Sequence, residues 1–215
     1  MPQNARTKVR RVAQRGHYDR ETIHAILDSS WIAHVSFADP KGQPFVIPML
    51  YAREGDSLYL HGSIASRLLK SVGSGIETCL CVTLVDGVVL ARSHFHHSMN
   101  YRSVVAFGQA VAVEDPADKA AIFERFVDAL IPGRARESRA ADRNEINATS
   151  LLRFDIEDAS AKIRTGEPKD DPADRELPVW AGVVPVTQHF GEAITAADVV
   201  AGVPIPRSVI NLLGR

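Results

Sequence analysis

The sequence predicts a mainly β protein with peripheral helices, built as an antiparallel barrel or sandwich. Several short segments alternate apolar and polar side chains, which is the period of a half-buried strand. Tight turns join these segments, and short strands joined in this way are typical of antiparallel barrels and sandwiches. Only one segment carries a clear helical stripe of apolar residues, so helices are expected at the periphery.

The composition describes an ordinary globular protein. Of its 215 residues, 45% are hydrophobic and 24% are charged, and the formal net charge is −1. This balance gives no reason to expect nucleic acid or a membrane surface as a partner. No apolar run is long enough for a transmembrane helix, and the N-terminus lacks the apolar core of a secretory signal. Cys79 and Cys81 are expected on one strand face as free thiols, which fits a cytoplasmic protein.

The chain divides by pattern into an arm, one domain and a tail. Residues 1–18 form a basic N-terminal arm, which we expect to be partly disordered. The domain is expected at 19–186, where the strand patterns lie. Residues 187–215 form a poorly patterned C-terminal tail.

The strand pattern begins after a short helix that Asp19 is expected to cap. Pro44 and Pro48 confine the second strand to an edge or a bulge. Asp86-Gly87 is predicted as a hairpin turn, and Gly108 as a bend within a long strand. The predicted strands are 31–37, 43–52, 58–61, 76–85, 88–92, 101–113, 150–156 and 159–163.

The one clear helix is predicted from Pro116, with Asp115 as its cap. Its apolar stripe, spaced for one helix face, consists of Phe123, Phe126, Val127, Leu130 and Ile131. Pro132-Gly133 ends the helix, and the charged segment at 134–145 is predicted to be a solvated loop.

A candidate anion site follows the strand at 58–61. The strand breaks at Gly62-Ser63, where no Cβ blocks a ligand from the backbone N–H groups. A helical turn at 65–72 would add further free N–H groups. Ser63 and Ser66 supply hydroxyls, and Arg67 supplies a permanently charged fork. The pattern fits a phosphate site, and a polar turn with Arg67 in solvent is the alternative.

A second polar concentration, ARSHFHHSMNYRS at 91–103, holds three histidines. On a strand, His94 and His96 would face one way and His97 the other, without a third ligand nearby. We therefore expect no zinc site. A polar loop and the rim of a pocket for an anionic, planar ligand both fit the pattern. No motif of nucleophilic catalysis, of a Rossmann fold or of a P-loop occurs.

Several segments together resemble the flavin-nucleotide-binding branch of the pyridoxamine 5′-phosphate oxidase-like split-barrel superfamily, near the nitroimidazole-resistance proteins. They are YDRETIHAILD, FVIPMLYA, LYLHGSIASRLLK, ARSHFHHSMNYRSVVAFGQA, IPGR, SAKIRTGEP and VWAGVVP, in the family's order. The resemblance implies a six-stranded antiparallel Greek-key split barrel of the FMN-binding type. It also implies a homodimer with two flavin sites at the interface.

The resemblance further implies which residues contact the flavin. The strand at 46–50 resembles the one whose backbone lies along the isoalloxazine, and residues 61–63 resemble those beside the ribityl chain and ring edge. Ser66 and Arg67 resemble the phosphate-binding pair, and Ser103 a polar flavin contact. Trp180 is expected to reach the flavin across the dimer. The implied set is Val46, Ile47, Pro48, Met49, Leu50, His61, Gly62, Ser63, Ser66, Arg67, Ser103 and Trp180.

The implied function is a flavin-dependent oxidoreductase that transfers hydride to or from a small molecule, with FMN as cofactor or FAD as the alternative. A flavin- or haem-binding storage or sensor module and a deazaflavin-dependent reductase are the rival hypotheses. The vitamin-processing oxidases have a lysine where Leu68 follows Arg67, and the tail lacks their Arg-rich substrate motif. Flavin binding therefore carries over better than pyridoxine-phosphate oxidation, and no catalytic residue is assigned.

Overall fold

Antiparallel strands dominate the computed structural model, which describes Met1 and residues 3–214. The strands are β1 (Gly16–His17), β2 (Ile32–Ala38), β3 (Pro44–Glu54), β4 (Ser57–Ser63), β5 (Thr78–Leu90), β6 (Ser98–Ala112), β7 (Thr149–Arg164) and β8 (Gly182–Pro185). The α-helices are α1 (Arg20–Asp28), α2 (Arg67–Val72), α3 (Pro116–Leu130), α4 (Arg143–Ala148) and α5 (Arg207–Leu213). No helix in the described part of the chain is long and apolar enough to cross a membrane.

Six of the strands close into a barrel. They lie in the order β7, β4, β3, β2, β5 and β6, and β6 pairs back onto β7 to complete the circuit. The short strands β1 and β8 are additions to this barrel, on β7 and β5 respectively. The predicted six-stranded antiparallel barrel with peripheral helices is thereby confirmed.

The barrel core follows the predicted alternation of side chains. Leu58 and Leu60 of β4 are fully buried, whereas Tyr59 between them faces outward. Helix α1 begins after the cap Asp19, whose side chain accepts a hydrogen bond from the N–H of Thr22, as predicted. Its buried residues Ile23, Ile26 and Leu27 join the same core cluster.

The barrel is split between β3 and β4. These strands pair only between residues 51–54 of β3 and 57–60 of β4. The first half of β3, residues 44–50, pairs with β2 alone, while β4 continues along β7 as far as Ser63. We call the unpaired side of residues 44–50 the open edge of β3. Because proline lacks an N–H donor, this edge accommodates Pro44 and Pro48, as the sequence predicted.

Two predicted interruptions are absent from the described strands. Asp86-Gly87 is not a hairpin turn, because β5 runs through it with a shift of register. Arg102 of β6 binds the Asp86 carboxylate at 2.8 Å, and β8 packs against Gly87. The predicted strands 150–156 and 159–163 are likewise one strand, β7, with an irregularity opposite Gly108.

The basic N-terminal arm is folded against the barrel, so the expected partial disorder is wrong for its described residues. Asn4 donates a hydrogen bond to Asp158 at 2.7 Å, and Arg6 pairs with Asp158 and with Glu77. Thr7 is buried, and the arm ends in β1 on the edge of β7. The domain boundaries at 19 and 186 stay a prediction.

Candidate functional site

The predicted phosphate segment folds as the end of β4 followed by the short helix α2. The Ser66 hydroxyl oxygen accepts from the N–H of Leu69 at 3.4 Å, and the Ser63 oxygen accepts from the N–H of Ala65 at 3.1 Å. Both hydroxyls act as acceptors in these bonds, so their own protons remain available to a ligand. Leu68 and Leu69 are buried in the barrel core, which fixes the helix and leaves its polar side exposed.

Arg67 is the exposed cation at the start of α2. Its guanidinium carbon lies 4.2 Å from the centroid of the Phe45 ring, and Phe45 stacks on Phe37 in the barrel mouth. None of the ion pairs formed by the described residues includes Arg67. The aromatic platform therefore holds a charged fork in place without neutralising it, an arrangement that suits an anionic ligand.

The open edge of β3 begins beside this cation. The N–H of Tyr51 donates to the Trp31 carbonyl at 3.1 Å, so Tyr51 points its backbone donor towards β2. Donors alternate along an antiparallel strand, which directs the N–H groups of Val46 and Leu50 away from β2. The Val46 side chain is 61% exposed on the outer face. The strand thus offers free backbone groups and an apolar face near Phe45 and Arg67.

Gly62 has a packing role that the sequence did not reveal. A Cβ at this position would lie 3.1 Å from a terminal methyl carbon of Leu69. Gly62 therefore lets the start of α2 pack closely against β4. This contact fixes the position of Ser66 and Arg67 relative to the strand.

His61 belongs to a different surface, because alternation along β4 turns it outward beneath α3. Its ring lies edge-on to Phe126 and Phe123, with centroids 4.5 and 5.8 Å away. Its Nδ1 atom is buried and has no hydrogen-bond partner among the described residues. Burial lowers the pKa of the imidazole. The neutral ring is therefore favoured, with one nitrogen able to act as a ligand or acceptor.

A cavity of about 780 Å³ opens beside His61. Its walls are the apolar side of α3 and the segment from 135 to 149. The segment at 134–145 was predicted to be a solvated loop, but it contains a 3-10 helix at Arg134–Glu137 and the start of α4. Asp142 and Glu145 form a capping box, a D-x-x-E signal that is visible in the sequence. Arg139 pairs with Glu145 at 2.7 Å and holds the pKa of that carboxyl at about 2.

Helix α3 begins as predicted, with the Asp115 side chain accepting hydrogen bonds from the N–H groups of Ala117 and Asp118. Of the predicted stripe it buries only Phe126 fully, together with Ile122, which the stripe did not include, and the other members of the stripe are half-buried. The half-buried members include Phe123 and Val127, which border the cavity. The stripe is thus partly a cavity wall.

Ser103 and Trp180 lie away from the Arg67 region within one chain. Ser103 is on β6, which β2 and β5 separate from β3, and its hydroxyl donates to the Lys162 carbonyl at 3.3 Å. Trp180 precedes β8 and is 65% exposed, with its ring against Gly182. The structure therefore gathers residues 46–50, Ser66 and Arg67, and leaves these two apart.

The three histidines do not lie on a strand, because His94–His96 form a short 3-10 helix and His97 directly follows it, so the predicted strand faces do not apply to them. His97 Nδ1 lies 2.8 Å from the Ser93 carbonyl, and His96 lies 3.3 Å from an Asp171 carboxylate oxygen. The described residues include no group of three or more His, Cys, Asp or Glu side chains placed to hold a metal. The absence of zinc remains a prediction.

Comparison with known proteins identifies relatives of the whole arrangement. The profile of the pyridoxamine 5′-phosphate oxidase family matches residues 19–163. The structure of the flavocytochrome Anf3 from Azotobacter vinelandii is similar over 97% of both chains, with 40% sequence identity and a TM-score of 0.91. A FAD- and haem-binding protein from Mycobacterium smegmatis has 37% identity and a TM-score of 0.88, over 92% of this chain and 97% of that one.

A more distant structure shares the fold alone. A putative 5-nitroimidazole antibiotic resistance protein from Bacteroides thetaiotaomicron is 19% identical, with a TM-score of 0.58 over 69% of this chain and 87% of its own. A comparison with curated protein sequences found no match.

Proposed function

Because the chain belongs to the pyridoxamine 5′-phosphate oxidase family, we propose that it binds a flavin nucleotide where β3 and β4 diverge. The observation that carries the proposal is the Arg67 guanidinium, held over Phe45 without an anionic partner among the described residues. Ser66 and Arg67 would bind the phosphate, and the open edge of β3 would lie along the ring system. The similar structures from A. vinelandii and M. smegmatis exceed 30% identity and are flavoproteins by name, which supports the proposal.

The geometry at this site fits a flavin for two reasons. The phosphate end needs hydrogen-bond donors and a positive charge, which the Ser66 hydroxyl and Arg67 provide. The ring end needs an apolar face with backbone donors and acceptors at its rim, which the strand at 46–50 provides. FMN is the proposed cofactor, and FAD, which the M. smegmatis relative binds by its name, is the alternative.

Purification of the protein from cells tests the proposal directly. We expect a yellow protein whose spectrum shows flavin bands, and mass spectrometry of the released ligand distinguishes FMN from FAD. The apo-protein should take up one of the two at micromolar concentration. Failure to bind either flavin at that level would contradict the proposal. A ligand mass typical of a deazaflavin would instead favour the rival hypothesis of a deazaflavin-dependent reductase.

We further propose that the protein is an oxidoreductase acting on a small molecule. A bound flavin supplies hydride transfer, and the protein contributes binding, orientation and hydrogen bonds at the ring edge. The backbone N–H groups of Val46 and Leu50 are candidates for such bonds, because the alternation of β3 directs them to the open edge. Anaerobic bleaching by NADH or NADPH, and recovery on adding an acceptor, would support turnover. Flavin that no reductant or acceptor affects would support a storage or sensor role.

Haem binding is the second candidate, and the cavity beside His61 favours it. The relatives from A. vinelandii and M. smegmatis carry haem according to their names. The cavity combines an apolar wall on α3 with polar and charged side chains from the facing segment, among them Arg139 and Glu145. Its volume is in the range of ligand pockets, and it holds one imidazole whose burial favours the neutral ring. These features fit a haem, whose iron His61 would hold through a ring nitrogen.

His61→Ala separates this candidate from flavin binding. We expect the variant to lose the Soret absorbance and the haem measured as pyridine haemochrome, while flavin content stays near the wild-type value. Phe123→Leu is the matched control, since it keeps an apolar cavity wall. A haem content unchanged by His61→Ala would place the haem elsewhere.

We also propose a homodimer. A split barrel exposes strand edges and apolar faces that a two-fold partner can cover. Light scattering at low concentration should give twice the chain mass of 23.5 kDa. A stable flavin-bound monomer would contradict this proposal.

A further inference from the structure

The segment after β8, residues 187–206, is here called the C-terminal arm. It contains neither helix nor strand, and residues 187–205 are all exposed. Its composition is nevertheless apolar: Ile194, Val200 and Val203 are 97%, 75% and 60% exposed. Exposure of apolar side chains to water is unfavourable, so an exposed apolar segment of this kind indicates a surface that another molecule covers.

The arm is anchored to its own barrel at three places. At its start the N–H of Val186 donates to the Asp86 carbonyl at 3.1 Å. Phe190 packs on Trp31, with ring centroids 5.4 Å apart. Beyond its end, the N–H and hydroxyl of Ser208 donate to the Glu137 carboxylate. The exposed apolar residues are therefore held in position between fixed points and do not belong to a frayed terminus.

A second exposed apolar surface adjoins the Trp31 anchor. The outward face of β2 and β3 presents Ile32, Val46 and Leu50, and all three are exposed. The other positions between them on this face carry no carboxylate or permanent cation, since they are the polar His34 and Ser36 and the apolar Pro48. The arm itself contains only two ionised side chains, Glu192 and Asp198. Both surfaces thus lack the charge density of a solvated protein surface.

Size argues that the occupant is a protein. At roughly 100 Å² for each half-exposed large apolar side chain, the two surfaces together present on the order of 1,000 Å². The largest apolar patch of a typical monomer is about 300–600 Å², and one side of a standard interface buries about 800 Å². The contributing side chains are Ile32, Val46, Leu50, Phe190, Ile194, Val199, Val200, Val203 and Ile205.

We propose that the C-terminal arm of each chain packs across a two-fold axis on the outward face of β2 and β3 of a second copy. A two-fold axis brings each arm to the other chain's face, so one contact type is made twice and both surfaces are covered. The arm of one chain then closes the flavin site of the other, because that face contains the open-edge strand. This inference rests on the proposed flavin-binding dimer.

The variant Ile194→Asp tests the inference with little risk to the fold. Ile194 is almost fully exposed, so a charge there leaves the monomer's packing intact. At a dimer interface the same charge would be desolvated, and the dimer dissociation constant should rise roughly 30-fold or more. Sedimentation equilibrium measures the constant. Val111→Asp, an exposed β6 residue outside both surfaces, is the matched control and should leave it unchanged.

The face is tested by Ile32→Asp, which should weaken the dimer to a similar extent. If arm and face touch each other, the two substitutions should be coupled, and the effect of the double variant should differ from the sum of the single effects. FMN titration of each variant then separates this inference from flavin binding itself. The proposal is supported if these variants bind FMN more weakly at low protein concentration and recover their affinity at high protein concentration, where the dimer re-forms. A dimer constant that Ile194→Asp leaves unchanged overturns it, while flavin binding in the wild type would still stand.

Discussion

Replacing Arg67 by alanine is the sharpest test of the phosphate site. Arg67 is exposed in the single chain and stacked on Phe45, and no carboxylate among the described residues pairs with it. Alanine removes the charge and the fork but leaves the buried leucines of α2 in place. The fold should therefore survive, and any loss can be attributed to the ligand.

The expected loss follows from the kind of hydrogen bond that disappears. The phosphate of FMN is close to doubly charged at neutral pH, and hydrogen bonds to charged groups contribute about 1.5–3 kcal/mol. A value of about 2 kcal/mol corresponds to a roughly 30-fold weaker affinity. Arg67→Lys should recover only part of it, because an ammonium cannot bind two oxygens with a planar fork. Phe45→Leu should weaken FMN binding about 3-fold, the size of an exposed cation–π contact.

The assay is a fluorescence titration of apo-protein with FMN and, separately, with riboflavin. Riboflavin lacks the phosphate, so Arg67→Ala should barely change its affinity. Arg53→Ala is the control, because the Arg53 guanidinium is already bound to both carboxylate oxygens of Asp28, at 2.6 and 2.7 Å. It should lower the melting temperature without changing the affinity for FMN.

The outcome depends on how much Arg67→Ala weakens FMN binding compared with riboflavin binding. A loss confined to FMN assigns the phosphate to Arg67. Equal losses for FMN and riboflavin would refute the reasoning, since Arg67 would then shape the site without contacting the phosphate. Unchanged affinity for both would move the phosphate away from α2 altogether.

Two further predictions concern stability. Gly108→Ala should destabilise the fold by about 3 kcal/mol in urea unfolding, because the new Cβ would meet the Asp155 carbonyl oxygen at 2.1 Å, whereas Gly191→Ala, with open space around it, should be neutral. Glu145→Gln should lower the melting temperature at pH 7, because the folded-state pKa of Glu145 is depressed to about 2 by Arg139. A depressed carboxyl pKa stabilises above the unfolded value of 4.5, so the difference from wild type should shrink as pH falls towards 2, and a constant difference would contradict this assignment.

Local alternation was sufficient to predict most of the barrel. It located β2, β3 and β6, because one face of each strand is buried and apolar and polar residues therefore alternate in the sequence. It failed at Asp86-Gly87, since a turn and a bulge use the same residue types. The contacts that decide between them, with Arg102 and with β8, come from distant parts of the chain.

The candidate site was predictable only where it is local in sequence. Gly62, Ser66 and Arg67 lie within one short segment, so their chemistry could be read together. Phe45 could not be connected to Arg67, because their contact depends on how β3 and β4 diverge in space. The segment at 134–145, which contributes to the cavity wall, was predicted to be a solvated loop although its capping box was visible, since charge dominates its composition.

His61 shows why neighbouring residues on a strand need not share a site. The resemblance grouped it with Gly62 and Ser63, but alternation along β4 directs its ring towards α3 and the cavity. The end of β4 therefore borders two separate regions. Ser66 and Arg67, which follow the strand, form the proposed phosphate end, and His61 on the strand lies beside the cavity. The two variants should therefore be independent: Arg67→Ala should weaken FMN binding with haem content unchanged, and His61→Ala the reverse. If either substitution removes both ligands, the two regions form a single site and the division between them is wrong.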